Sequence, residues 1–96
     1  MRMIVSYDVA TTTGAGRSRL RRVAKLCKSY GVRVQYSIFE CSVTDRELVI
    51  LKPRLLALIK LDEDSLRFYF LGTEWRRRVE HVGAKLSYDP EAPLIL

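Results

Sequence analysis

Residues 3–41, MIVSYDVATTTGAGRSRLRRVAKLCKSYGVRVQYSIFEC, decide how this 96-residue chain folds. The stretch opens with an alternation over residues 3–9: Met3, Val5, Tyr7 and Val9 on one side, Ile4, Ser6 and Asp8 on the other. Its β-branched and aromatic content predicts a strand that releases Asp8 at its exit. Residues 10–16, ATTTGAG, are small and polar and contain two glycines, a loop that leads into a helix. From Arg17 to Tyr30 the apolar residues Leu20, Val23, Ala24, Cys27 and Tyr30 share one helical face, with Leu26 at its margin. Gly31 then reads as a left-handed cap. On the opposite face Arg17, Arg21, Lys25 and Lys28 fall within an arc of about 80° and form a basic stripe. Arg22 flanks it. Arg19 projects near the apolar border, with a stem long enough to reach toward the strand ends. Residues 33–41 alternate again and predict a second strand, with Val34, Tyr36 and Ile38 on one face. The other face, Arg33, Gln35, Ser37, Phe39 and Cys41, is polar and aromatic, which suggests a partner subunit or a ligand in place of an apolar core.

Downstream, Thr44 and Glu47 make a capping-box pattern ahead of Leu48, Leu51, Leu55, Leu58 and Ile59 at helical spacing. Pro53 inside this run predicts a kink or a fresh start, because proline lacks the hydrogen-bonding N–H and crowds the preceding turn. After the acidic loop Asp62-Glu63-Asp64, the run SLRFYFLG predicts a third strand with Leu66, Phe68 and Phe70 on one face. Residues 78–82, RVEHV, form a weaker fourth strand, and an apolar PLIL follows from Pro93. The expected order is strand, helix, strand, helix, strand, strand and a late tail, all in one domain over residues 1–96. It fits an α+β, ferredoxin-like βαββαβ-type fold, an antiparallel sheet with two helices on one face. Val, Tyr and Phe side chains on the other sheet face then call for a cover, which a second copy supplies.

Composition narrows the function. The formal net charge is +6 and unevenly spread: residues 1–33 hold eight basic residues against Asp8 alone, residues 34–96 nine basic against ten acidic. A positive field concentrated in the first third suits a polyanion, since Lys and Arg contacts to phosphate release counterions. The bland alternative is a solvated helix face. Cys27 and Cys41 lie 14 apart and His81 is the sole histidine, so no zinc-finger spacing exists and the cysteines read as small buried hydrophobes. His81 reads as a polar residue at a sheet margin. No stretch approaches the roughly 20 apolar residues of a membrane span. The opening MRMIVSYDVA is broken by polar residues and lacks a cleavage site, so a cytoplasmic protein is expected.

A strand ending in YDV, a glycine-containing loop, GRSRLRRVAKLCKSYG and then RVQYSIFEC form an ensemble. It resembles the small core protein of CRISPR adaptation modules, a metal-dependent nuclease and integrase-scaffold family. The resemblance is specific over residues 3–41 and looser to the tail. It implies that Asp8 is the catalytic and metal-binding aspartate, holding Mg²⁺ or Mn²⁺ together with the same residue of a second subunit. It implies phosphate binding by Arg17, Arg19 and Arg33, to which the stripe adds Arg21, since a guanidinium fork engages two phosphate oxygens at once. Ser37 and Phe39 match supporting residues near the subunit interface, and Tyr7 and Gln35 are expected neighbours of the site. The tail resembles a final strand that pairs with the partner's sheet. The family's partners would be a second copy, the larger adaptation integrase, and duplex DNA or single-stranded RNA. Two functions follow: a homodimeric DNA-holding scaffold for spacer acquisition and a metal-dependent endonuclease. A stand-alone toxin-like endoribonuclease on the same fold is the more distant alternative.

Overall fold

The structure, a computed structural model, describes residues 1–71 and 79–84. Elements run in the order β1 (Arg2–Asp8), α1 (Gly14–Lys28), β2 (Gly31–Gln35), β3 (Ile38–Ser42), α2 (Asp45–Leu58), β4 (Ser65–Phe70) and β5 (Val79–Gly83). The strands form one antiparallel sheet in the order β2-β3-β1-β4-β5, with β1 at its centre. This is the expected ferredoxin-like α+β fold, with β5 added beside β4.

Register explains the core. Along β1 and β4, Met3 faces Phe70, Val5 faces Phe68 and Tyr7 faces Leu66, so these six side chains share one face of the sheet. Val23, Leu26 and Cys27 of α1 and Leu51 and Leu55 of α2 close over that face, and all eleven belong to one buried cluster. The second face carries a smaller buried cluster of Ile4, Ile38 and Tyr69. Both cysteines are free and buried, as expected. Burial, reinforced by Cys41, pushes the Cys27 thiol up to about 12. Burial, reinforced by Glu40, pushes Cys41 up to about 11.

Four expectations change. Residues 33–41 are not one strand but the hairpin β2–β3, turning at Tyr36-Ser37, with a bulge between Arg33 and Gln35. In its register Gly31 pairs with Cys41 and Arg33 with Phe39, whereas past the bulge Gln35 pairs with Ile38, so Gly31 and Arg33 share the face of Cys41 and Phe39 and Gln35 turns to the face of Ile38. No Gly, Asn or Pro marks the reversal. Phe39, 1% exposed, therefore belongs to the core beneath the helices and not to an interface face. Gly31 is not a left-handed cap: the helix ends on Ser29 in right-handed geometry, and Gly31 opens β2. A Cβ there would stand 2.2 Å from Glu40 O, so glycine is required by close strand approach. The helix itself begins earlier than expected, at Gly14, capped by the Thr13 hydroxyl, which accepts from Gly16 N at 3.0 Å. Finally, of the kink or fresh start expected at Pro53, the fresh start is excluded, because α2 runs unbroken from Asp45 to Leu58. Pro53 and Val49, whose carbonyl loses its helical partner, are both exposed, so that loss falls on the solvent side of the helix. The Thr44–Glu47 capping box is formed in both directions. The tail from Pro93 lies outside the described residues.

Candidate functional site

The carboxyl end of β1 opens into a cleft of about 780 Å³ whose wall includes Ser6, Asp8, Tyr36, Ser37, Ser65 and Arg67. Antiparallel pairing assembles it: Asp8 lies opposite Ser65 and Ser6 opposite Arg67, while Tyr7 N donates to Ser37 O at 3.1 Å and ties the hairpin turn to β1. Asp8 is exposed and is the only carboxylate among the described residues of this wall. Ser6, Ser37 and Ser65 line the same cleft and bring hydroxyls, hard oxygen donors of the type Mg²⁺ and Mn²⁺ accept. One carboxylate is too little for a protein-held shell, and among the described residues no group of three or more His, Cys, Asp or Glu is placed to hold a metal.

Tyr7 is buried and stacks on Phe39 with ring centroids 6.2 Å apart. Burial lifts its phenol above the ordinary value, and Arg33, through hydrogen bonding and charge, offsets part of that rise. The Arg33 guanidinium lies 5.1 Å from the Phe39 centroid and 6.0 Å from that of Tyr36. Arg17 leans across the β1–α1 loop and donates to Thr11 O at 3.3 Å, which brings its charge beside the cleft. Arg67 Nε donates to His81 Nδ1 at 2.8 Å across the β4–β5 pair, so His81 orients a cleft arginine from the sheet margin. Arg21 and Gln35 are exposed but do not line the cleft.

Arg19 is placed differently from expectation. Its Nε donates to Asp64 Oδ2 at 2.8 Å and a terminal nitrogen to Oδ1 at 3.3 Å, a fork on a fully buried carboxylate. An arginine committed to this inward pair is a structural cation, not a phosphate ligand. Asp64 also accepts from Ala10 N at 3.0 Å and Lys60 N at 2.8 Å, so one side chain fastens the loop after Asp8, α1 and the connection into β4. Burial alone would raise its pKa, but the hydrogen bonds from Arg19, Lys60 and Ala10 prevail and hold the carboxyl below its usual range. Gly16 completes the junction, since a Cβ there would meet Ala10 O at 1.9 Å. Sequence reasoning missed Asp64, Ser65 and Arg67. Nothing separates Asp64 from its neighbours Asp62 and Glu63 in an acidic run, whereas pairing Asp8 with Ser65 would have set Arg67 opposite Ser6.

A model of the family "CRISPR associated protein Cas2" matches residues 1–79. The chain belongs to the Cas2 family. It is 55% identical over 96 residues to the "CRISPR-associated endoribonuclease Cas2" of Nitratidesulfovibrio vulgaris, covering 100% of this chain and 94% of that protein. It is also 55% identical to the protein of the same name from Chlorobaculum tepidum, with full coverage of both, 100% each. The crystal structure of Streptococcus pyogenes Cas2 superposes with a TM-score of 0.71 at 60% identity, over 83% of this chain and 96% of that one. The Cas2 resemblance read from residues 3–41 is thus a family membership that spans the whole chain. Among the described residues no helix is long and apolar enough to cross a membrane.

Proposed function

We propose that this Cas2 chain acts in CRISPR adaptation as a cytoplasmic homodimer that holds nucleic acid and bridges units of the larger adaptation integrase, with a divalent-metal-dependent endonuclease activity as its secondary property. The observation that carries the reading is the exposed Asp8 at the mouth of an oxygen-lined cleft, in a family whose close relatives are named endoribonucleases. Because the cleft wall offers a single carboxylate among the described residues, a shared ion needs the same residue from a second copy, which a two-fold axis supplies.

Asp8 and the partner's equivalent would hold Mg²⁺ or Mn²⁺ with water completing the shell, and a bound ion would polarise a phosphoryl oxygen and acidify a coordinated water. This chain's own groups do the rest. Arg17 and Arg33 bring positive charge to the rim, where a phosphodiester gains charge-assisted hydrogen bonds. Arg67, held by His81, faces the same space. Arg21, Lys25 and Lys28 continue the exposed stripe along α1 and give a duplex a sequence-independent track.

Asp8→Ala tests the reading. Divalent-dependent cleavage of single-stranded RNA and duplex DNA in vitro is expected to vanish while spacer acquisition in cells persists. Loss of both would make catalysis the primary function, and cleavage that survives the substitution would remove Asp8 from the site. Sedimentation of the purified protein as a monomer at working concentration would sink the shared ion.

A further inference from the structure

We infer that the groove between α1 and α2 is a docking site for an acidic, amphipathic helix of a second protein, on a part of the molecule that shares no residue with the Asp8 cleft. The groove encloses about 410 Å³. Three cations line it, Arg22 and Lys25 from α1 and Arg54 from α2, together with the apolar side chains of Leu26, Ala57 and Leu58.

The charge here is unanswered by the fold itself. Arg2, Arg19, Lys52 and Lys60 each pair with a carboxylate, whereas Arg22, Lys25 and Arg54 have no ion pair among the described residues. No acidic residue occurs in α1, and the two acids of α2, Asp45 and Glu47, stand in its first turn while the groove is lined from its last. A ligand that answers both halves of this lining must bring anionic groups and apolar carbon together. A phosphate backbone brings charge but no aliphatic side chain to bury, so it would leave Leu26, Ala57 and Leu58 wet. A second copy of this chain, at a formal net charge of +6, would set more positive charge against the same cations. A helix with glutamates beside leucines meets both requirements.

The shape of the groove selects a helix. Its lining positions on α1 are 22, 25, 26 and 29, a spacing that marks one face of a helix, so the groove follows that helix lengthwise. That span, at a rise of 1.5 Å per residue, is about 10 Å, or two turns of an incoming helix, whose anchors would then recur at i, i+3 or i+4, and i+7. Beyond the groove the apolar surface continues along α2. Val49 is 72% exposed, and with the exposed Pro53 and Ala57 it makes a line at i, i+4 and i+8. Ile50, 49% exposed, stands beside that line. A helix on the surface of a soluble domain ordinarily turns polar side chains to water there, so this ridge widens the apolar area open to the same partner.

The test uses the full-length protein and a pair of short, fluorescein-labelled helical peptides, blocked at both ends and identical in their glutamates, one with leucines at i, i+4 and i+7 and the other with serines there. Anisotropy is expected to show the leucine peptide binding on the order of tenfold more tightly than the serine peptide. Arg22→Gln combined with Arg54→Gln should weaken the leucine peptide about fivefold and flatten its salt dependence. Ala57→Gln keeps the charge and sets an amide over the apolar lining, so it should weaken that peptide on the order of tenfold while duplex DNA affinity moves by less than about twofold. In wild type, amide chemical shifts perturbed by the leucine peptide should centre on residues 22–29 and 54–58, a readout that needs no variant to fold. Equal affinity for the two peptides would reduce the groove to a charged surface and overturn the proposal. So would no binding of the leucine peptide, or shifts centred on the Asp8 cleft. Equal loss of peptide and duplex binding in Ala57→Gln would assign the groove to nucleic acid, and an Ala57→Gln protein that sediments as a smaller species than wild type would assign it to a second copy.

Discussion

Replacing Asp64 with alanine removes a carboxylate on which three separate segments converge, and the cost follows from what it leaves behind. Ala10 N and Lys60 N lose acceptors at 3.0 and 2.8 Å, at a site where the Asp64 side chain is wholly buried. A buried donor stripped of its acceptor costs about 1–3 kcal/mol, so the pair of amides sets an expected loss near 3 kcal/mol. Arg19, whose side chain is 15% exposed, turns toward solvent and adds little. Against the roughly 5–15 kcal/mol by which a domain is stable, this is a large fraction, equivalent to a fall on the order of 15 °C in Tm. Urea unfolding at fixed protein concentration measures it as a shift in midpoint at unchanged slope. The pH dependence supplies a second signature. The carboxyl titrates below its ordinary value in the folded chain, so near the acid limb the unfolded state binds the extra proton and stability rises with pH. Its contribution is complete above the unfolded carboxyl pKa of about 3.9 and is lost as the pH falls through the lower folded value. The gap between wild type and Asp64→Ala should therefore be constant from neutral pH down to about pH 5 and close below about pH 4. A midpoint shift worth less than about 1 kcal/mol, or a gap that widens in acid, would refute the assignment of Asp64 as the junction's anchor.

Two further outcomes follow from the surface and the core. Neutralising Arg17 and Arg21 together (Arg17→Gln, Arg21→Gln) should weaken nucleic-acid binding and flatten its logarithmic salt dependence by about one unit for each phosphate no longer engaged, as read by anisotropy across a salt series; an unchanged slope would leave both side chains in solvent. Cys27 and Cys41, buried and held near 12 and 11, should resist a thiol reagent at pH 8 in the native protein and react at once in denaturant; rapid native labelling would contradict their place in the core.

The legible parts of the fold were those in which local pattern and tertiary role coincide. The apolar face of α1, the capping box at Thr44 and the Leu66, Phe68, Phe70 face all carry their periodicity into the core. The hairpin at Tyr36-Ser37 was hidden because no Gly, Asn or Pro marks the turn and because the bulge that shifts its register leaves no mark in the residue types. Asp8 was visible as the exit of a strand, yet its surroundings were not, since Ser65 and Arg67 reach it by pairing across more than fifty residues of sequence. Arg19 shows the opposite failure. Its place beside five other arginines and lysines on one helix suggested phosphate, and only the three-dimensional position of Asp64 reveals the inward partner.

The central position of β1 also fixes an order of events. The segment bearing Asp8 leaves the ribosome before both of its flanking neighbours, residues 38–42 and 65–70. A nascent chain that stops short of residue 65 leaves one whole side of that strand unpaired, without Ser65 or Arg67. Asp8 thus acquires its setting only once residues 65–70 have been made, and a product truncated before them carries the aspartate without that wall.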